Sequence, residues 1–339
     1  MLNSSPVELH KRLFDKITPS LRWDEKTPID KWRITCQEKL SELLGLDTFE
    51  KCEADLKIVS ESTLGLCKHI HFLVQTEKDY YVNAHLLVPK GISEKLPLCM
   101  GLQGHVSGAH IGLGIEKFDY DKMYINEDHF DYSKQCIDYG FVGLSIEQRG
   151  YGENGGDTET GHTKCTHAQT GAYLLGRTLI GERVWDIQRV LDAILDYFGD
   201  IITMKGSLLI GTSGGGTATY YTACLENRFE VFLPGVALCS FADSIVALDH
   251  CICNYIPNIA KYFDMGDLAV MIAPKKLIIL SATNDRWFPI EGAKREYERI
   301  EKIYKHLGAQ NNLRFVIGNG GHSFYPNEVW QAIGELLEK

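Results

Sequence analysis

The sequence predicts an α/β protein built on one mostly parallel sheet with helices on both faces. Three observations predict it. Short apolar runs without polar alternation recur along the chain, as strands buried on both faces require. Amphipathic helical stretches lie between them. The segment 207–216 then runs from an apolar strand through Gly-x-Ser-x-Gly directly into a helical pattern. The 339 residues, 44% hydrophobic and 24% charged, suffice for a single large domain with a sizeable core.

Residues 1–55 read as a helical extension packed on the core, and 56–339 as the sheet domain. Thr27-Pro28 opens a helix, Trp32, Cys36, Leu40, Leu43 and Leu44 recur near helical spacing, and Gly45 closes it. Two β-patterned runs follow, Cys67–Gln75 and Tyr80–Pro89, joined by Glu77-Lys78-Asp79 as a hairpin. Leu96–Leu102 and Phe141–Ile146 are short apolar strands around a helical segment, Asp128–Tyr139, with Gly140 as its C-cap. Glu182–Phe198 places Val184, Ile187, Leu191, Ile194, Leu195 and Phe198 on one helical face. After the strand Leu208–Ile210 and the helix Thr217–Leu225 come strands at Gly235–Ser240, Lys276–Ala282 and Leu313–Gly318. Ala293, Tyr297, Ile300, Tyr304 and Leu307 make a further amphipathic helix, and the last starts near Pro326. The expected sheet has eight strands, six parallel and a leading antiparallel pair. Segments 103–127, 147–176 and 241–274 have no regular pattern; each leaves the C-terminal end of a strand, where sites lie in open parallel sheets.

A net charge of −10 and a pI near 5.7 disfavour nucleic acid and anionic membrane as partners. The first residues lack the apolar run of a signal peptide, and no stretch approaches the ~18 apolar residues of a membrane span. A cytoplasmic location with reduced thiols is the expectation. Of ten cysteines, Cys67, Cys99, Cys224 and Cys239 fall in or beside apolar elements and read as small hydrophobes. Cys251-x-Cys253 beside His250 invites a metal, but no second Cys/His cluster has zinc spacing, so no metal or other cofactor is expected.

The chemistry gathers at Gly211-Thr212-Ser213-Gly214-Gly215. Glycines at 211 and 215 permit a strained strand-to-helix turn that presents Ser213, and the Gly214 N–H falls at a helix N-terminus, free to bind an oxyanion. A serine nucleophile needs a histidine base oriented by a carboxylate. Asp285 follows the strand Lys276–Ala282, and His322 follows the last strand in Gly318-Asn319-Gly320-Gly321-His322. Asp243, Asp249, Asp264 and Asp267 are rivals to Asp285, but only Asp285 stands immediately beyond a buried strand. The second oxyanion donor falls in the loop after Leu96–Leu102, at the N–H of His105 or Gly104. Trp287, Phe288, Phe324 and Tyr325 flank the acid and base and are candidates for a substrate pocket, with core packing as the alternative for each. In Glu147-Gln148-Arg149-Gly150-Tyr151-Gly152 a structural role for Arg149 is preferred over substrate contact.

These motifs resemble the α/β-hydrolase fold with its Ser-Asp-His triad. More narrowly, four segments resemble bacterial proteins grouped as acetyl xylan esterase-like or dienelactone-hydrolase-related. They are Leu102-Gln103-Gly104-His105, the 147–152 cluster, Leu175–Leu179 with Arg183-Val184-Trp185-Asp186, and His250–Pro257. The resemblance runs from about residue 25 to the end. It implies Ser213 as nucleophile, Asp285 as acid, His322 as base, and removal of small acyl groups, acetyl first, from a sugar or other alcohol. Dienelactone hydrolases proper use a cysteine where Ser213 stands, and the His-Gly-Gly-Gly loop of many lipases is replaced by one starting at Gln103. A peptidase, amidase or lactone hydrolase of the same fold, and an inactive binding protein that keeps it, are the alternatives. The expected partner is a small-molecule ester; a homo-oligomer is left open.

Overall fold

The computed structural model describes residues 5–338. The chain begins with helices α1 (Pro6–Phe14) and α2 (Ile29–Leu44), the second ended by Gly45 at φ 76°. Strands β1 (Leu56–Leu64), β2 (Cys67–Glu77) and β3 (Tyr80–Pro89) form an antiparallel meander. Then come β4 (Leu96–Leu102), the short helices α3 (Asp121–Asn126) and α4 (Tyr132–Gln135), and β5 (Val142–Ile146). Helices α5 (Cys165–Leu174) and α6 (Leu179–Phe198) precede β6 (Ile202–Thr212), α7 (Gly214–Leu225) and β7 (Val231–Gly235). The chain closes with α8 (Ala269–Ile272), β8 (Lys276–Ala282), α9 (Ile290–His306), β9 (Leu313–Gly318) and α10 (Pro326–Leu337).

The nine strands make one sheet in the order β1-β2-β3-β5-β4-β6-β7-β8-β9, parallel from β5 to β9 and antiparallel before it. Alternate residues of the central strands enter opposite cores. Leu209, Phe232, Leu277 and Ile279 pack with α2, α6, α7, α8 and α9. Leu208, Ile210, Val231, Leu233, Ile278 and Leu280 pack with Tyr132, Cys136 and α10 on the other face. Such two-sided burial is why these strands read as unbroken apolar runs.

The structure corrects the sequence reading in four places. The sheet has nine strands rather than eight, because β1 is an edge strand whose residues are mostly exposed and which therefore lacks a hydrophobic pattern. The strand expected at Gly235–Ser240 lies earlier, at Val231–Gly235, and its former span leaves the sheet through Val236 at φ 44°. The helix expected over Asp128–Tyr139 is a single α-turn followed by a 3-10 turn. The three segments read as irregular, 103–127, 147–176 and 241–274, contain α3, α5 and α8, hidden by the shortness of α3 and α8 and the weak amphipathicity of α5. Among the described residues, no helix is long and apolar enough to cross a membrane.

Candidate active site

The parallel register aligns the C-terminal ends of β6 to β9 on one edge: Thr212 lies opposite Gly235, Gly235 opposite Leu280, and Ala282 opposite Gly318. Ser213, Asp285 and His322 leave the sheet from that edge. Ser213 adopts φ 54° and ψ −123°, a conformation that side-chain-bearing residues rarely occupy. Two backbone bonds hold it there. Its N–H donates to the Gly235 carbonyl at 2.9 Å, and its carbonyl accepts the Thr217 N–H at 2.8 Å. Gly215 is required by close approach, since a Cβ there would lie 2.0 Å from the Leu102 carbonyl oxygen.

Asp285 is buried, and each of its oxygens has a task. Oδ1 accepts the Trp287 and Phe288 N–H groups at 2.8 and 3.1 Å, and Oδ2 accepts from His322 Nδ1 at 2.7 Å. That bond leaves Nε2 of His322 free as the basic nitrogen. The Phe288 ring stacks on His322 with centroids 6.0 Å apart. Behind His322, the loop is pinned by Ser323 Oγ donating to Asp128 at 2.7 Å and by the Phe324 N–H donating to the Asp128 carbonyl at 2.9 Å. Three rival aspartates are engaged elsewhere: Asp243 with Arg295, Asp267 with Arg22 at 3.0 Å, and Asp264 at the Met265 N–H.

The loop after β4 closes over the serine. A Cβ on Gly104 would lie 2.9 Å from Ser213 Cβ, so the backbone there touches Ser213. The turn is closed by the Val106 N–H to the Gly104 carbonyl at 2.9 Å, with the His105 N–H at its centre. Gly214 opens α7, where first-turn N–H groups have no intrahelical acceptor. The His105 ring covers Gly214, with Nδ1 and Cε1 each 2.9 Å from where a Cβ would be.

The pocket candidates divide. Trp287 is 37% exposed at the site. Phe288 is buried and supports His322. Phe324 is not a pocket residue: it is 1% exposed and packs with Tyr132 and Trp330 in the core under the sheet. A cavity of about 390 Å³ opens instead beside His105, lined by Ser107, Tyr120, Tyr124, His162 and Thr163 among others. These residues come from two irregular segments and carry no sequence motif.

Arg149 belongs to a buried ion-pair network, with Asp186 at 2.7 Å and Glu77 at 2.7 Å, and its guanidinium lies 4.1 Å from the Tyr80 ring centroid. His250, read from sequence as a neighbour of Cys251 and the start of a resemblance segment, packs edge-on against Trp287 and Phe288. Its Nε2 lies 2.9 Å from Ser244 Oγ. Burial holds its pKa below the usual histidine range, with nearby His105 and His322 adding to the effect and the Trp287 carbonyl and Asp285 opposing it. Cys251-x-Cys253, set aside because no second cluster follows in sequence, meets His105 and Cys165 in space. Neither partner could be found by spacing, as both lie far upstream, His105 in the loop after β4 and Cys165 at the start of α5.

The architecture is the α/β-hydrolase fold. No family model matches the chain. A Bacillus subtilis (strain 168) protein, YtaP, which carries a provisional hydrolase name, is 26% identical over 245 residues, 70% of this chain and 77% of that protein. Among solved structures, a provisionally assigned acetyl xylan esterase from Bacteroides fragilis NCTC 9343 superposes with a TM-score of 0.76 at 14% identity, covering 93% of this chain and 83% of that one. A methylesterase, BT1017, gives 0.72 at 19% identity over 99% and 69% of the two chains. A glucuronoyl esterase from Solibacter usitatus gives 0.67 at 13% identity over 95% and 97%.

Proposed function

We propose that this protein is a serine carboxylic-ester hydrolase that works through an acyl-enzyme on small esters of carbohydrates, with acetyl as the leading acyl group. The observation that carries the proposal is the strained Ser213 at the strand–helix turn, on the same sheet edge as a 2.7 Å Asp285–His322 pair. In this reading Ser213 Oγ attacks the ester carbonyl while His322 Nε2 takes its proton. The developing oxyanion is received by the Gly214 N–H and the His105 N–H. Collapse of the tetrahedral intermediate expels the alcohol, which takes the proton from His322. Water then repeats the sequence on the acyl-enzyme and frees the acid and Ser213. Asp285 keeps the proton on Nδ1 and stabilises the imidazolium.

The carbohydrate part draws support from the cavity beside His105, where tyrosine rings and hydroxyl and imidazole groups suit the apolar faces and polar edges of a sugar. The structural neighbours named as acetyl xylan, methyl and glucuronoyl esterases support ester chemistry in the same fold. The proposal includes a reducing, cytoplasmic location, in which the ten cysteines stay thiols. The test is hydrolysis of p-nitrophenyl acetate, butyrate and octanoate, acetylated xylo-oligosaccharides and methyl glucuronate by wild type and Ser213→Ala. Acetate cleavage that vanishes in the variant is the expected result. Activity that survives the substitution, or faster cleavage of aminoacyl anilides, overturns the reading.

A further inference from the structure

Three segments without regular pattern converge on a group of side chains that triad chemistry does not use. His105 comes from the loop after β4, Cys165 is the first residue of α5, and Cys251 and Cys253 lie beyond β7. Their ligating atoms all fall within 4.8 Å of one another, with His105 Nε2 3.2 Å from Cys253 Sγ and the Cys251 and Cys253 sulfurs 3.4 Å apart. In a tetrahedral zinc site with bonds of roughly 2.0 to 2.3 Å, donor atoms stand roughly 3.6 to 3.8 Å apart. The His105–Cys253 and Cys251–Cys253 spacings are a few tenths of an ångström shorter than that, and all four atoms lie close enough to surround one ion. We propose that His105, Cys165, Cys251 and Cys253 bind a single zinc ion that ties the walls of the active site together.

Charge balance argues for an ion rather than a cluster of neutral thiols. Arg183 is 1% exposed, and its guanidinium donates to the Arg149 carbonyl, the Tyr151 hydroxyl at 3.2 Å and Cys165 Sγ at 3.5 Å. Among the described residues no carboxylate pairs with it. A buried guanidinium without a counter-charge is costly. Three thiolates and one histidine around a divalent ion carry one net negative charge, which matches the single positive charge of Arg183. A Cys251–Cys253 disulfide would supply no such charge and would leave Cys165 and His105 without a task. Soft sulfur donors with one imidazole, closed on all four sides, select zinc over calcium or magnesium. Cys165 at the start of α5 adds a helix N-terminus that favours its thiolate.

The position gives the ion a role. With Nε2 of His105 on zinc, the proton sits on Nδ1, on the side that faces Gly214. The Tyr151 hydroxyl, 3.1 Å from Nε2, then keeps its bond from Arg183 and turns its own proton elsewhere. The ring is fixed over the start of α7, and the His105 N–H is fixed with it. His105 and the three cysteines are thus positioning residues for the oxyanion loop, a role that rests on the hydrolase reading; the metal site itself does not.

The experiment is metal analysis of the full chain purified without chelator from zinc-supplemented cells. About one zinc per chain is expected, with exchange to cobalt(II) giving thiolate charge-transfer and tetrahedral d–d bands. Cys253→Ser and Cys165→Ser should each lower zinc content by about tenfold, whereas Cys99→Ser should retain it. Should either ligand variant fail to fold, the wild-type stoichiometry and the cobalt spectrum decide alone. Substoichiometric metal with no cobalt spectrum overturns the proposal, as does a native disulfide among Cys165, Cys251 and Cys253 found by mass spectrometry. Stripping the zinc should lower kcat on p-nitrophenyl acetate far more than it changes KM. Zinc present at full stoichiometry, with kcat unchanged on its removal, overturns the positioning role. Zinc present in a protein that hydrolyses no ester supports the site and overturns the hydrolase reading.

Discussion

Asp285→Asn tests the triad at the atom where the structure makes the sharpest demand. Three N–H groups converge on this carboxylate: the Trp287 and Phe288 backbone donors on Oδ1 and His322 Nδ1 on Oδ2. An asparagine can satisfy the two backbone donors only with its carbonyl oxygen. Its NH₂ group must then point at His322. Two N–H groups cannot face each other, so His322 Nδ1 turns acceptor and its proton moves to Nε2. That nitrogen is then unable to take the proton of Ser213. The geometry of the site survives while the base is lost, as the two side chains differ by one heavy-atom identity. A loss of about 10³ to 10⁴ in kcat/KM is expected, or about 4 to 5.5 kcal/mol of transition-state stabilisation. The assay is p-nitrophenyl acetate hydrolysis across pH, beside thermal unfolding to show that the fold is retained. A folded variant that keeps more than about a tenth of wild-type activity would refute the reasoning, because the carboxylate would then have no part in setting the tautomer.

Two further outcomes follow from backbone strain and from a buried acid. Ser213→Gly removes the proposed nucleophile and also the conformational penalty at φ 54°, ψ −123°, whereas Ser213→Ala keeps the penalty. Denaturant unfolding should find the glycine variant about 1 to 2 kcal/mol more stable than the alanine variant, both inactive; equal stability would mean that the turn stores no strain. Burial pushes the Glu147 carboxyl up to about 7, against the Ala109 and Glu153 N–H groups that favour its charged form. Since the folded pKa is above the unfolded one, this contribution is fully present below about pH 4 and lost as pH rises through 7. Glu147→Gln should remove that slope, a relative change on the order of 3 kcal/mol between about pH 4 and 8, read from urea midpoints at each pH. Parallel profiles for the two proteins would place the Glu147 titration outside this range.

Much of the fold is legible in the sequence because burial on both faces leaves its mark in composition. β4, β5, β7, β8 and the second half of β6 are apolar without alternation, and the glycines at 45 and 140 sit at helix ends with φ of 76° and 80°. Exposed β1 carries no such mark, and the strand near Gly235 was displaced because Val236, Leu238 and Cys239 are just as buried outside the sheet as residues within it. Phe324 shows the same ambiguity at the site: its position beside His322 in sequence says nothing of the direction in which its ring points.

The sequence by itself determined the Gly-x-Ser-x-Gly turn and the order in which Ser213, Asp285 and His322 follow strand ends, because a parallel sheet delivers strand ends to one edge and local glycines mark the turns. Only the tertiary structure decided what the long loops do. It joined Asp285 to His322, laid Gly104 and His105 against Ser213, and brought His105 and Cys165 to Cys251 and Cys253. The physical reason is range: helices, strands and turns are set by neighbours a few residues apart, and their periodicity is written locally. Contacts between loops separated by 37 to 148 residues depend on how the sheet places their ends, and no spacing in the chain records them.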